Sequence, residues 1–340
     1  MNRFSYLRAE SVEGALAALA ADPAAKIVAG GTNLLDLMKY DVEQPSRLID
    51  ITRIEGLDEI TQSERGIMIG ALVSNTTIAY HPAVAENFPL LSSAILAGAT
   101  PQLRNAATAG GNINQRTRCY YFYDAALPCN KREPGSGCPA LEGVNRNHAI
   151  LGASDDCIAT HPSDMCVALA ALDALIHIAG PQGQRTIPIA QYHRLPDGSP
   201  ERDTTLGADE LVIGIEIPAE ARRFMGNHTY LKLRDRLSYA FALVSVAAGL
   251  QMEGDTIADA RIALGGVAHK PWRRPQAEEV LIGRAADETS FAAAADVLLE
   301  GAQGRKHNAF KIELARRAII RALGQAAAGT PQSQSDKRIA

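Results

Sequence analysis

No run of apolar residues in this chain reaches the ~20 needed to cross a bilayer, and no block of basic residues faces an anionic partner. The formal net charge is −4 over 340 residues, so neither nucleic acid nor an anionic membrane surface is indicated. The start lacks the marks of a secretory leader: Arg3 and Arg8 are present, but no apolar segment follows them, which points to folding in the cytoplasm. Cysteine is absent from most of the chain, all five lying between Cys119 and Cys166. An odd number without a leader argues against a disulfide framework and toward metal or redox chemistry. Two familiar spacings are also missing. Without Cys-x2-Cys pairs there is no zinc ribbon, zinc finger or bacterial ferredoxin site. Without Gly-x-Gly-x-x-Gly a Rossmann dinucleotide fold is not indicated.

What is present is an ordinary globular composition, 46% hydrophobic and 21% charged, in a chain long enough for two or three packed units. Ser11 can cap a helix whose apolar face is Val12, Ala15, Leu16 and Leu19. Residues 26–29 read as a short buried strand, 34–39 as a short helix and 46–52 as the next strand, a small α/β unit. A strand at 66–73 precedes a helical region at 76–99, interrupted by Pro82 and Pro89, and 100–115 has no periodicity. Residues 116–160 form a long irregular stretch with four of the cysteines, and a loop of that length needs something to hold it. A capped helix at 163–173 and strands at 174–179 and 210–218 follow. An antiparallel hairpin at 239–252 and 258–264 turns near Gly254-Asp255. Helices at 291–300 and 309–323 precede a polar end.

Three segments can carry chemistry. Val28-Ala29-Gly30-Gly31-Thr32-Asn33 puts glycines and free N–H groups between a strand and a helix start, which suits either a tight turn or a phosphate cradle. Thr108-Ala109-Gly110-Gly111-Asn112-Ile113 repeats the theme, and two such loops favour a large phosphate-bearing cofactor over two plain turns. Cys119, Cys129, Cys138 and Cys157 are separated by nine, eight and eighteen residues. Four thiolates from one Pro/Gly-rich loop can ligate a 4Fe–4S cluster, while structural zinc and unliganded buried thiols remain open readings. Cys166 sits in the apolar run Met165-Cys166-Val167-Ala168-Leu169 and reads as a small core residue. Asp164 reads as a favourable charge in a helix's first turn, and Lys232 as a solvated strand lysine. His148, His161 and His228 have no metal spacing and are assigned no chemistry.

Taken in order, these segments resemble the FAD subunits of the xanthine dehydrogenase and molybdenum hydroxylase family. The markers are Ala29-Gly30-Gly31-Thr32-Asn33-Leu34, Leu103-Arg104-Asn105-Ala106-Ala107-Thr108-Ala109-Gly110-Gly111-Asn112, Pro162-Ser163-Asp164-Met165, the strand at 210–218 and Gly265-Gly266-Val267-Ala268. The cysteine loop, with Pro128-Cys129-Asn130-Lys131-Arg132 and Cys157-Ile158-Ala159-Thr160-His161-Pro162, is similar to that of periplasmic aldehyde oxidoreductases whose FAD subunit carries an extra 4Fe–4S cluster. Hydroxybenzoyl-CoA-reductase-like enzymes and stand-alone flavin oxidases are the alternatives.

The resemblance implies an α+β fold: an FAD-binding fold of the vanillyl-alcohol-oxidase type in two subdomains (1–58 and 59–222, with the cluster loop at 114–160). A C-terminal CO-dehydrogenase-flavoprotein-like sheet and helical bundle (223–328) and a disordered tail (329–340) would follow. It implies FAD on Lys26, Ile27, Val28, Ala29, Gly30, Gly31, Thr32, Asn33 and Leu34, with Thr108, Gly111, Asn112, Asp164, Val212 and Lys232 contributing, and the cluster on Cys119, Cys129, Cys138 and Cys157. It implies no catalytic residue on this chain. The partners would be a large molybdopterin subunit that oxidises aldehyde and a small subunit with 2Fe–2S clusters, together a heterotrimer. This chain would pass electrons to an external acceptor, in the periplasm after export with a partner, or else in the cytoplasm.

Overall fold

The computed structural model describes residues 1–236 and 239–334. Its eleven strands form three sheets. The first holds β1 (Ser5–Arg8), β2 (Lys26–Val28) and β3 (Arg47–Asp50) in the order β1-β3-β2, all parallel. Parallel neighbours need a crossover, and the helix Val12–Ala21 supplies one, with Ser11 Oγ accepting from Gly14 N as its cap. The helix lays Ala15, Ala18 and Leu19 against Ile49 and Ile51.

The second sheet holds β4 (Ile60–Ser63), β5 (Gly66–Gly70), β6 (Leu175–Gly180), β7 (Gly183–Pro188) and β8 (Leu211–Pro218), in the order β4-β5-β8-β6-β7. Its pairs are antiparallel. Three short helices, Asn75–Tyr80, Pro82–Asn87 and Pro89–Ala97, cover one side, two of them opening on the proline expected to interrupt them. Proline is tolerated at a first helical position, where its missing N–H has no partner in any case. Leu211, at the start of β8, is buried in the core of the first sheet and so ties the two subdomains together.

The third sheet is antiparallel, with β9 (His228–Leu233), β10 (Val244–Glu253) and β11 (Thr256–Gly265) in the order β11-β10-β9. The hairpin turn falls on Gly254, at φ +61°. Helices Pro275–Glu279, Glu288–Leu298 and Phe310–Ala327 cover this sheet in a core of their own.

Three expectations are corrected. Residues 100–115 are not an unstructured loop but two short helices, Pro101–Ala106 and Ala109–Ile113, each opened by a threonine whose hydroxyl accepts an N–H three residues on. The hairpin's first strand begins at Val244, not at 239. The start of the tail is tied down, since Gln332 N donates to Thr229 Oγ1 (2.8 Å) and Gln334 Nε2 to Tyr230 O (3.1 Å). Residues 335–340 lie outside the described residues. No helix among the described residues is long and apolar enough to cross a membrane.

Candidate functional site

β2 ends at Val28 and the helix Leu34–Lys39 begins six residues later, so 29–33 must turn within a very short span. Gly31 does so at φ +70°, a conformation that glycine adopts without strain. Gly30 has a different reason: a Cβ there would stand 1.8 Å from Ala106 O, so the turn lies flush against the end of the Pro101–Ala106 helix. The first glycine turn thus abuts the residues that lead into the second. The backbone N–H groups of residues 30–33 donate to no group among the described residues, which leaves them free for an anion. In the second loop Thr108 Oγ1 accepts from Gly111 N (3.2 Å) and shapes the facing wall.

Between the loops runs a groove of about 440 Å³, lined by Lys26, Ile27, Val28, Ala29, Gly30, Gly31, Thr32, Asn33, Leu34, Thr108, Gly111 and Val212. A narrower extension of about 100 Å³ shares Thr32, Asn33 and Gly111 and reaches Asn112, Asp164 and Lys232. Every residue that the resemblance assigned to FAD therefore lines one continuous depression. The donor set suits that cofactor. Asn33 Oδ1 accepts from Arg116 N at 2.9 Å, which fixes the amide's orientation, and leaves the buried Nδ2 as a donor without a partner. Asn75 Oδ1, beside the extension, is a buried acceptor without one. Buried polar groups rarely go unpaired, and a dinucleotide carries both acceptors and donors for them.

Two bland readings fail at the far end of the groove. Lys232 is not a solvated strand lysine: its side chain is 4% exposed and its Nζ donates to Asp164 Oδ2 at 2.8 Å and to Ala97 O at 3.1 Å. Asp164 is more than a first-turn charge, because Tyr230 Oη also donates to its Oδ1 at 2.7 Å. Burial pushes the Tyr230 hydroxyl well above its ordinary range, so it stays a donor. Ser163 caps the helix Asp164–Ala171 and donates to Asn112 Oδ1 at 2.5 Å, joining this corner to the second loop.

The four loop cysteines are free thiols, Cys129 and Cys157 buried, Cys119 and Cys138 partly so. They come near enough to perturb one another's ionisation. Burial pushes Cys119 up to about 12 and Cys157 up to about 11, against which nearby Lys131 favours the Cys157 thiolate. Ligation would therefore release protons. The loop is held by its own polar side chains. Asn130 accepts from Gly137 N (2.7 Å) and donates to Asp156 O (2.9 Å), and Ser136 Oγ accepts from Cys129 N (2.9 Å). Lys131 Nζ donates to Pro200 O (2.7 Å) and pairs with Asp203.

The spacing of the sulfurs bears on which metal fits. A tetrahedral zinc with Zn–S of about 2.3 Å would draw its ligand sulfurs to about 3.8 Å apart. Among the described residues, the one group of three or more potential ligands lying within 4.8 Å of one another is His161, Cys166 and His193. Among the described residues no three of the loop sulfurs lie within 4.8 Å of one another. Cys166, fully buried in its helix, is a member of that His161–Cys166–His193 group.

Sequence reasoning missed the charged side of the groove. Arg116 pairs with Glu43 (2.6 Å) and Asp203 (2.9 Å), and Asp203 also holds Lys131. This ladder runs from the cysteine loop to the groove wall. Its members come from distant segments without a shared motif, so only the fold reveals them.

Residues 2–220 match the family described as the FAD binding domain in molybdopterin dehydrogenase, and 228–326 the CO dehydrogenase flavoprotein C-terminal domain. The chain belongs to the FAD-binding medium subunits of the molybdenum hydroxylase family, and its relatives are oxidoreductase subunits. It is 47% identical over 330 residues to the aldehyde oxidoreductase FAD-binding subunit of Escherichia coli (strain K12), covering 96% of this chain and 99% of that one. The carbon monoxide dehydrogenase medium chain of Hydrogenophaga pseudoflava is 30% identical over 95% of this chain and 97% of its own. Among solved structures, the carbon monoxide dehydrogenase of that organism superimposes with TM-score 0.75 at 28% identity, over 96% of this chain and 98% of that chain. Quinoline 2-oxidoreductase from Pseudomonas putida 86 gives 0.74 at 28% identity, over 97% and 98%.

Proposed function

We propose that this chain is the electron-transfer subunit of a molybdenum-dependent aldehyde oxidoreductase, passing electrons from 2Fe–2S clusters of a small partner through FAD to an external acceptor, and holding a 4Fe–4S cluster of its own. The observation that carries this reading is the pairing, in one chain, of the cofactor groove with four free cysteines brought together by one loop. The extent of identity to an aldehyde oxidoreductase subunit favours aldehyde chemistry in the complex. That chemistry belongs to the large molybdopterin partner of a heterotrimer, exported with this chain to the periplasm.

Bound FAD supplies the ability to exchange electrons singly or in pairs. This chain's residues bind and orient it. The N–H groups of 30–33 and Asn33 Nδ2 would hold the diphosphate, and Val212 would line the cofactor's wall. Asp164, fixed by Lys232 and Tyr230, presents a held carboxylate at the narrow end. Cys119, Cys129, Cys138 and Cys157 would hold the cluster, whose main effect is to order residues 114–160.

The test is a visible spectrum with metal analysis of the purified complex, for wild type and Cys138→Ser. Flavin bands with a broad iron–sulfur shoulder that diminishes in the variant support the reading. Zinc in the complex, with a shoulder unchanged between wild type and variant, refutes it. Cell fractionation checks the location, and recovery of the complex only in the cytoplasm would contradict the export.

A further inference from the structure

Arg116 stands where the two cofactor sites join, since it opens the cysteine loop and also lines the groove. Its backbone N–H holds Asn33 Oδ1 at 2.9 Å and so aims the unpartnered Nδ2. Every nitrogen of its guanidinium is engaged by protein: Nε donates to Asp203 Oδ2 (2.9 Å), Nη1 to Glu43 Oε1 (2.6 Å) and Nη2 to Glu201 O (3.2 Å). Arg116 is thus a strut behind Asn33.

What fixes the strut comes from the cysteine loop. Asp203 accepts from Arg116 through Oδ2 and from Lys131 Nζ through Oδ1 (2.5 Å), one carboxylate shared by two cations. Lys131 is 2% exposed and follows Cys129 by two residues, so it reaches Asp203 only while that part of the loop is packed in place. An apolar path runs beside the charged one. Phe122 of the loop is buried with Leu37 and Cys129, and the Arg116 guanidinium stands 4.8 Å over its ring. Leu37 belongs to the helix that follows the glycine turn. Order in the cysteine loop therefore reaches the diphosphate turn by two routes, and Asp203 is the shared member of the charged one.

We propose that Asp203 is a positioning residue through which the cluster-bearing loop and FAD strengthen each other's binding. With the loop ordered, Lys131 and Arg116 share Asp203, Arg116 is fixed and Asn33 is aimed. With the loop loosened, Asp203 loses one of its two cations, Arg116 relaxes and the Asn33 amide is free to turn, so FAD is held less tightly. Coupling between two sites is reciprocal, so bound FAD in turn helps the loop keep its cluster. The inference rests on the functional reading above, which supplies the two cofactors.

The test reads FAD dissociation from the purified complex, by the fluorescence of released flavin, in wild type, Asp203→Asn, Cys138→Ser and the double variant. Each single variant should raise the FAD dissociation constant about tenfold, within the usual span of coupling between sites. The double variant should lose little more than either alone, and Asp203→Glu, which keeps the carboxylate, should recover most of the affinity. Merely structural damage would instead give losses that multiply. Multiplying losses, or wild-type affinity in Asp203→Asn, overturns the proposal. The wild type gives a second reading that needs no variant to fold: stripping FAD should speed the oxidative loss of cluster iron, and an equal rate with and without FAD overturns the proposal. A wild-type complex that holds FAD but no cluster iron refutes the functional reading, whereas cluster iron with FAD binding indifferent to Asp203 refutes the coupling alone.

Discussion

At the scale of single residues, Asp164 and Lys232 depend on each other. The pair is almost fully buried, at 8% and 4% side-chain exposure, and removing one member of a buried pair leaves an uncompensated charge. Lys232→Met should destabilise the chain by about 3–5 kcal/mol in urea denaturation, and the double variant with Asp164→Leu should recover part of that loss. Additive losses would show that the two are not coupled. Acid should act through the buried histidines. Burial holds His193 down at about 4 and His269 at about 3, against 6.5 when free. Between those values and 6.5 the unfolded chain binds protons that the native chain refuses, so stability is full above pH 6.5 and falls as pH drops toward 4. Equilibrium unfolding midpoints across that range check it, and a flat profile would contradict it. Residue roles were unevenly legible in the sequence. The glycines and the burial of Cys166 in its apolar helix showed in local context. Lys232 read as solvated because its partner lies 68 residues away, a distance no local pattern spans.

Among elements, the cysteine loop is the one that its own composition cannot hold. The helix Phe310–Ala327 pins it through Lys311, wholly buried, whose Nζ donates to His148 O (2.8 Å) and Gly266 O (2.5 Å). Burial brings this lysine down to about 7 from 10.5, and a neutral amine has two hydrogens for its two carbonyls. From pH 7 to 10.5 the unfolded chain carries the extra proton, so this contribution to stability grows as pH rises. Lys311→Met should flatten that rise in unfolding measurements across the window. An unchanged rise would locate it elsewhere. Cys129→Ser should lower thermal stability and assembly more than electron transfer in the complex that survives, and normal stability without the cluster would contradict the structural role of the loop. Elements with strong periodicity or a clear cap, such as the helix after Ser11, were legible. The exposed, polar β7 and the two short threonine-capped helices were not, because each is stabilised by its neighbours rather than by a repeating pattern.

For the molecule as a whole, the three sheets of the described residues pack about the cofactor groove, and the order of motifs along the chain made that architecture legible before its packing. The charge ladder from Lys131 through Asp203 to Arg116 was invisible, since it forms only when the cysteine loop folds back on the groove. The central claim, one subunit with a flavin and a four-iron cluster, is met most directly by one measurement: flavin, iron and acid-labile sulfide in the purified complex, compared between wild type and a Cys119/Cys129/Cys138/Cys157→Ser variant. The account predicts about one FAD per chain in the wild type and a loss of about four irons and four sulfides per chain in the variant. Equal iron in the two proteins would contradict it.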